Sequence, residues 1–244
     1  MTRFAIIGGS GFSQLSELKV TQHKTVDTPY GEPSAPLTYG VFGGQEIVFL
    51  PRHGVGHSLP PHQINYRANI WALQDSGVKQ IIGMGAVGGI RNDMAPGCVA
   101  IPNQIIDYTW GRAHTFFDQD DTQVTHVDFT EPYSKELRDK LIAAGKAADI
   151  DLLADGTYGA VQGPRLETAM EINRMERDGC DLVGMTGMPE ASLARELELE
   201  YACCAVVANW AAGRGDGPIA WEEIEANLDQ GMGIARRLLL QFVS

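Results

Sequence analysis

The stretch RFAIIGGSGFS, Arg3 to Ser13, sets the reading of the whole chain. A short apolar run ends in Gly8-Gly9-Ser10-Gly11. Strands that discharge into glycines bring backbone N–H groups close to an anion. The dinucleotide fingerprint G-x-G-x-x-G is not met: from Gly9 the chain reads G-S-G-F-S-Q, and from Gly8 the second glycine fails. No clear ribose-binding acid follows about 20 residues on. Ser10 adds a hydroxyl to the backbone donors, which suits a compact phosphate; a tight turn without ligand is the alternative.

The pattern of apolar strand and helix repeats along the chain. Strands are expected at 4–8, 46–50, 78–86, 97–108, 157–162, 181–186 and 201–209. INYRANIWALQDSG puts Ile64, Ala68, Trp71 and Ala72 on one helical face and ends at Gly77. Ser134 is placed to cap KELRDKLIAAGKAADI, with Leu137, Leu141 and Ile142 inward. LETAMEINRMERDG, PEASLARELELE and WEEIEANLDQGMGIARRLLLQF have the same periodicity. Alternation of this kind predicts an α/β fold, a mostly parallel sheet with helices on both faces. Ligands of such sheets gather at the carboxyl ends of strands, where every glycine-rich or polar cluster falls.

The 244 residues suffice for one large α/β domain, and the formal net charge of -12 argues against nucleic acid and anionic membrane surfaces as partners. Cys98, Cys180, Cys203 and Cys204 form no CxxC pair and have no histidine at zinc-ligand spacing, so buried thiols and no metal are expected. No secretory leader pattern opens the chain and no apolar run approaches 18 residues, which predicts a cytoplasmic protein without a membrane span.

Three further clusters stand at strand ends: Arg52-His53, GMGAVGGI from Gly83 to Ile90, and Met185-Thr186. Arginine supplies a planar fork of donors suited to phosphate oxygens, and the adjacent His53 reads as another donor. Taken together, IIGGSG, VDTPYGEPSAPL (26–37), Pro51-Arg52-His53-Gly54 with His57, NYRANIWAL (65–73), QGPRLET (162–168) and GMTGMPE (184–190) resemble the purine nucleoside phosphorylases and methylthioadenosine phosphorylases. Six motifs in one order cover nearly the whole chain. The resemblance implies a single domain over residues 1–244, with a twisted mixed central sheet flanked by helices. It also implies a homotrimer that uses inorganic phosphate as co-substrate, with no metal or organic cofactor. Ser10, Arg52, His53, the Ala86 N–H and Thr186 match the phosphate contacts, and Met185 a sugar contact. Where relatives carry a polar Thr or Asn before Ala86, this chain has Gly85, so a side-chain contact is absent.

The base-recognition residues depart from the adenine pattern. Adenine-specific relatives carry Asp where Asn209 and Ala211 stand, whereas the 6-oxopurine enzymes carry Asn at the first position and match Glu167, which follows Leu166. An Asn209 amide can donate to O6 and N7, and Glu167 can accept from N1–H, which adenine lacks. Glu167 as an ordinary helix-start acid is the alternative. From Trp210 onward there is no histidine for a 5′-hydroxyl; Trp221 and Ile224 offer apolar surface for a methylthio group, or simply form an inner helix face. His57 matches a residue near the sugar, and His126 matches one that relatives lend from a neighbouring subunit. Catalysis is therefore expected from Asn209, Glu167 and His53, with 5′-methylthioinosine as substrate. Methylthioadenosine, plain inosine or guanosine, a nucleotide-dependent oxidoreductase and a non-catalytic nucleoside binder are the rivals.

Overall fold

The computed structural model describes residues 3–12, 15–118, 125–217, 219 and 221–244. Its strands are β1 (Arg3–Gly8), β2 (Lys19–Lys24), β3 (Leu37–Phe42), β4 (Gln45–Pro51), β5 (Val78–Gly89), β6 (Val99–Ala100), β7 (Gln104–Asp107), β8 (Leu152–Leu153), β9 (Thr157–Ala160), β10 (Leu182–Gly184) and β11 (Glu200–Trp210). The helices are α1 (Tyr66–Asp75), α2 (Lys135–Ala147), α3 (Ala169–Asp178), α4 (Gly187–Glu196) and α5 (Trp221–Val243). All strands join one mixed sheet, in the order β2-β3-β4-β1-β5-β10-β9-β7, with a branch from β5 through β11 and β6 to β8.

The branch point explains the geometry. β5 is unusually long at 12 residues. It pairs in parallel with β1 and with β11, and its last residues, Gly88 and Gly89, turn to pair antiparallel with β10. Helices cover both faces, as the alternation predicts. Ile70, Leu73, Ala191 and Leu193 of α1 and α4 pack with Ala5, Val48 and Ile81 on one side. Leu137, Leu141, Met232 and Leu239 of α2 and α5 pack with Ile6, Ile82 and Cys204 on the other. A smaller cluster joins Ile172 and Met175 of α3 to Val161, Val183 and Ala211 at the sheet's exit end.

The Ser134 hydroxyl accepts from Leu137 N–H at 3.2 Å and caps α2. Leu137 and Leu141 are fully buried; Ile142 is only partly so. α1 buries Ala68 and Ala72 and leaves Trp71 half-buried, and the turn after it ends in Gly77 at φ 80°. Two expectations are corrected. The 97–108 stretch is two short strands, interrupted at Pro102, which has no N–H to give to a ladder. β2, β3 and β8 were not expected; β2 is exposed along its whole length, so it carries no alternation to read. Cys180, Cys203 and Cys204 are buried as expected, whereas Cys98 is only partly so. No helix of the described residues is long and apolar enough to cross a membrane.

Candidate active site

The ends of β1 and β4 meet the middle of β5 at one corner of the sheet, and a buried ion pair holds them. Arg52, directly after β4, donates its backbone N–H to Gly8 O at 2.9 Å and its Nη1 to Met84 O at 2.6 Å. That ties the exits of β1 and β4 to the middle of β5. Its Nε and Nη2 donate to the two carboxylate oxygens of Glu190, each at 2.6 Å. Tyr201 Oη donates to the same carboxylate at 2.7 Å. Arg52 is 2 % exposed and Glu190 fully buried. Burial alone would lower the Arg52 pKa; the Glu190 charge and its hydrogen bonds reverse this and raise it, so the guanidinium stays charged.

Two glycines make this crowding possible. A Cβ at Gly9 would lie 2.6 Å from Met84 O and 2.9 Å from Arg52 Nη1. One at Gly83 would lie 2.1 Å from Tyr201 Oη and 2.9 Å from a Glu190 oxygen. Gly85 differs: its Cβ position meets only Val87 Cγ1, at 3.9 Å, so packing does not demand a glycine there. Ser10 and Ala86 are half-buried and Thr186 is buried at this corner. Arg52 therefore does not present an open fork. Three of its five N–H donors are spent on protein, which leaves one on each terminal nitrogen for an anion.

His53 follows Arg52 and is 6 % exposed. Its ring stacks on His57 with centroids 4.1 Å apart, and Nδ1 lies 2.8 Å from Leu59 O. Burial first, and the Arg52 charge second, lower its pKa to about 4, against a hydrogen bond to Leu59 that raises it. A neutral imidazole that donates from Nδ1 to a carbonyl has only a lone pair at Nε2. In this state the Nε2 lone pair is the polar group His53 has left to offer a ligand. The same depression makes stability pH-dependent. The contribution is complete above about pH 6.5 and is lost as pH falls toward 4, where the unfolded chain binds the proton first. Its size is roughly 3 kcal/mol at 1.36 kcal/mol per pKa unit. Thermal melts between pH 7 and pH 4 are expected to fall less steeply in His53→Gln than in the parent; parallel curves would refute this account.

The second half of the site stands at the exits of β9, β10 and β11. The β5–β11 register slips between Val207 and Asn209, so Asn209 follows a bulge. Bulges re-aim the side chains beside them. Asn209 is half-buried and donates from Nδ2 to Trp210 O at 2.7 Å. Ala211 is 2 % exposed, in the cluster that also holds Val161. Gly213 lies against Ala169, so the Asn209 segment abuts the segment that follows Glu167. Glu167 lines a cavity of about 180 Å³ with Tyr108, Trp110, Val161, Gln162 and Glu171.

Glu167 does not start a helix. Thr168 is the N-cap of α3, and its hydroxyl and the Glu171 carboxylate form a reciprocal capping box. Glu171 is pulled down to about 2 by hydrogen bonds from Arg165 and the Thr168 backbone. Burial pushes Glu167 in the opposite direction. Both carboxylates line the cavity, but Glu171 is tied to Arg165 and the α3 cap, whereas Glu167 is raised by burial.

The remaining expected residues differ in burial. Met185 is half-buried and touches Gly163 of the opposite wall. Leu166 is exposed, as are His57 and His126. α5 passes over the first loop, where Gly11 at φ 74° packs on Leu228. One turn earlier, Ile224 is half-buried, while Trp221 is 66 % exposed and donates from Nε1 to Glu225 at 3.1 Å. Glu190, Tyr201 and Arg112 were not expected from sequence. A lone carboxylate inside the apolar run MPEASLA was the available signal for Glu190.

A charged Arg52 thus sits buried among glycines where β1 and β4 end, and Glu167 lines a separate cavity with the β9 exit residues Val161 and Gln162. The chain belongs to the Phosphorylase superfamily, whose model matches residues 3–244. It is 56% identical over 226 residues to a probable S-methyl-5'-thioinosine phosphorylase of Xanthomonas campestris, covering 92% of this chain and 90% of that protein. It is 53% identical over 244 residues to a protein of the same description from Pseudomonas syringae, covering 100% and 99%. A 6-oxopurine nucleoside phosphorylase of Pyrococcus furiosus is 49% identical over 230 residues, covering 92% and 85%. Among solved structures, methylthioadenosine phosphorylase from Schistosoma mansoni in complex with adenine superposes with a TM-score of 0.95 at 34% identity, covering 100% and 91%.

Proposed function

We propose that this chain is a purine nucleoside phosphorylase that converts 5′-methylthioinosine and phosphate to hypoxanthine and 5-methylthioribose 1-phosphate. The observation that carries the choice of base is Asn209 at the β11 bulge, with buried, apolar Ala211 two residues on. No carboxylate stands at either position to accept from an exocyclic amine. Glu167, facing the adjoining cavity, accepts from N1–H of a keto purine. A site with this polarity rejects adenine because its buried groups would be left unpaired. The names of the relatives support the same substrate class.

In this reading phosphate lies against Ser10, the free Arg52 N–H groups, Ala86 N–H and Thr186, with His53 accepting its proton. The C1′–N9 bond loosens and the sugar gains oxocarbenium character, which the adjacent phosphate stabilises before bonding to C1′. Charge builds on the departing purine, and the Asn209 N–H not engaged by Trp210 O donates at the N7–O6 edge more strongly as it does. A solvent proton completes hypoxanthine. The chain's own groups supply these interactions, with no organic cofactor or metal. The methylthio group rests on the Ile224 side of α5, where apolar burial contributes about 1–2 kcal/mol. Exposed Trp110, Leu166 and Met170 beside the cavity support a homotrimer, with His126 reaching a neighbour's sugar end. The cytoplasm is the proposed location.

Hypoxanthine release from methylthioinosine, followed by absorbance with and without phosphate, tests this. We expect turnover only with phosphate, and faster than with methylthioadenosine or inosine. Phosphate-independent release, or a preference for methylthioadenosine, overturns it.

A further inference from the structure

We infer that Arg112 is a positioning residue that locks together the two walls of the nucleoside pocket. The inference rests on the functional reading above, in which Met185, Thr186 and the 162–168 segment meet the substrates. Arg112 is 8 % exposed. Its Nε donates to Gln162 Oε1 at 3.1 Å. Nη1 reaches Met185 O at 2.8 Å, Met188 O at 2.6 Å and Tyr66 Oη at 3.3 Å. Nη2 donates to Gln162 O at 2.8 Å and Val161 O at 3.2 Å.

Five N–H groups thus meet six acceptors from three separate pieces of chain: the exit of β9, the β10–α4 joint and the start of α1. Met185 and Met188 flank Thr186, so the guanidinium grips both sides of an expected phosphate contact. Gly163 lies in the same place; a Cβ there would come within 2.4 Å of Met185 Sδ, so the walls touch where Arg112 ties them. Among the described residues no carboxylate forms an ion pair with Arg112, in contrast to Arg52. A buried cation satisfied by neutral carbonyl and hydroxyl oxygens alone is costly to hold, and only a guanidinium has enough directed donors to fill this cage. Lysine has three donors and cannot hold both walls.

Kinetics of purified Arg112→Lys, beside a melting curve, test this. We expect a cooperative melt, with KM for methylthioinosine and for phosphate each raised at least fivefold. A role in folding alone would lower the active fraction, and so the apparent kcat, with both KM values unchanged. KM values within twofold of the parent overturn the inference. Should Arg112→Lys not fold, Gln162→Met decides. It removes the Nε acceptor but keeps the cation, and we expect a smaller KM rise in the same direction; none refutes the inference. A parent enzyme that releases no base refutes the functional reading and this inference with it, whereas parent turnover with unmoved variant KM values refutes the inference alone.

Discussion

Replacement of Glu190 by Gln is expected to lower the free energy of unfolding by about 3–5 kcal/mol, read from urea melts, because it strands a buried guanidinium. The side chain keeps its size, so little of the loss comes from packing. Arg52 is 2 % exposed and cannot turn to water, and Glu190 takes two of its three side-chain hydrogen bonds. Backbone at Gly9 and Gly83 packs against this pair, so the guanidinium cannot swing away to find another partner. Added phosphate is expected to restore more stability to Glu190→Gln than to the parent, because an oxyanion beside Arg52 becomes its counter-charge. A loss below about 1 kcal/mol, within the range of exposed pairs, would mean that Arg52 does not depend on this carboxylate.

The second large effect is at the base. Asn209→Asp is expected to raise the barrier for methylthioinosine by about 2–4 kcal/mol, roughly thirty- to a thousandfold in kcat/KM, as on removal of one transition-state donor. The mutant carboxylate faces O6, an acceptor against an acceptor. Toward methylthioadenosine the sign reverses, since the exocyclic amine gains a partner, and the ratio of the two specificities shifts further than either alone. Parallel initial rates on both nucleosides measure it. An unchanged ratio would place the purine away from Asn209.

The strand exits were legible because glycine, arginine and hydroxyl residues follow apolar runs, a local signal. Asn209 was legible as an amide at a strand end, but the bulge that aims it was not, since it depends on the partner register with β5. The Arg52–Glu190 pair joins residues 138 apart, and nothing in either segment specifies the other. Arg112 was invisible for a different reason: its partners are mostly main-chain carbonyls, which every residue has. The neutral state of His53 was not legible, because it follows from burial and from the Arg52 charge, against the bond to Leu59 O. β2 was missed because an exposed polar strand has no inner face to mark it.

The long reach of the Arg52–Glu190 contact also sets an order of assembly. β1, β4 and the first half of β5 emerge early in synthesis, but the acid that steadies Arg52 and the strand that seals β5 arrive only in the final third of the chain. Contacts this distant in sequence form late, after their loop-closure entropy has been met. A nascent or truncated chain that ends before residue 190 therefore has the glycine turns but no cradle, and the capacity to seize an oxyanion comes into being only as the protein is finished.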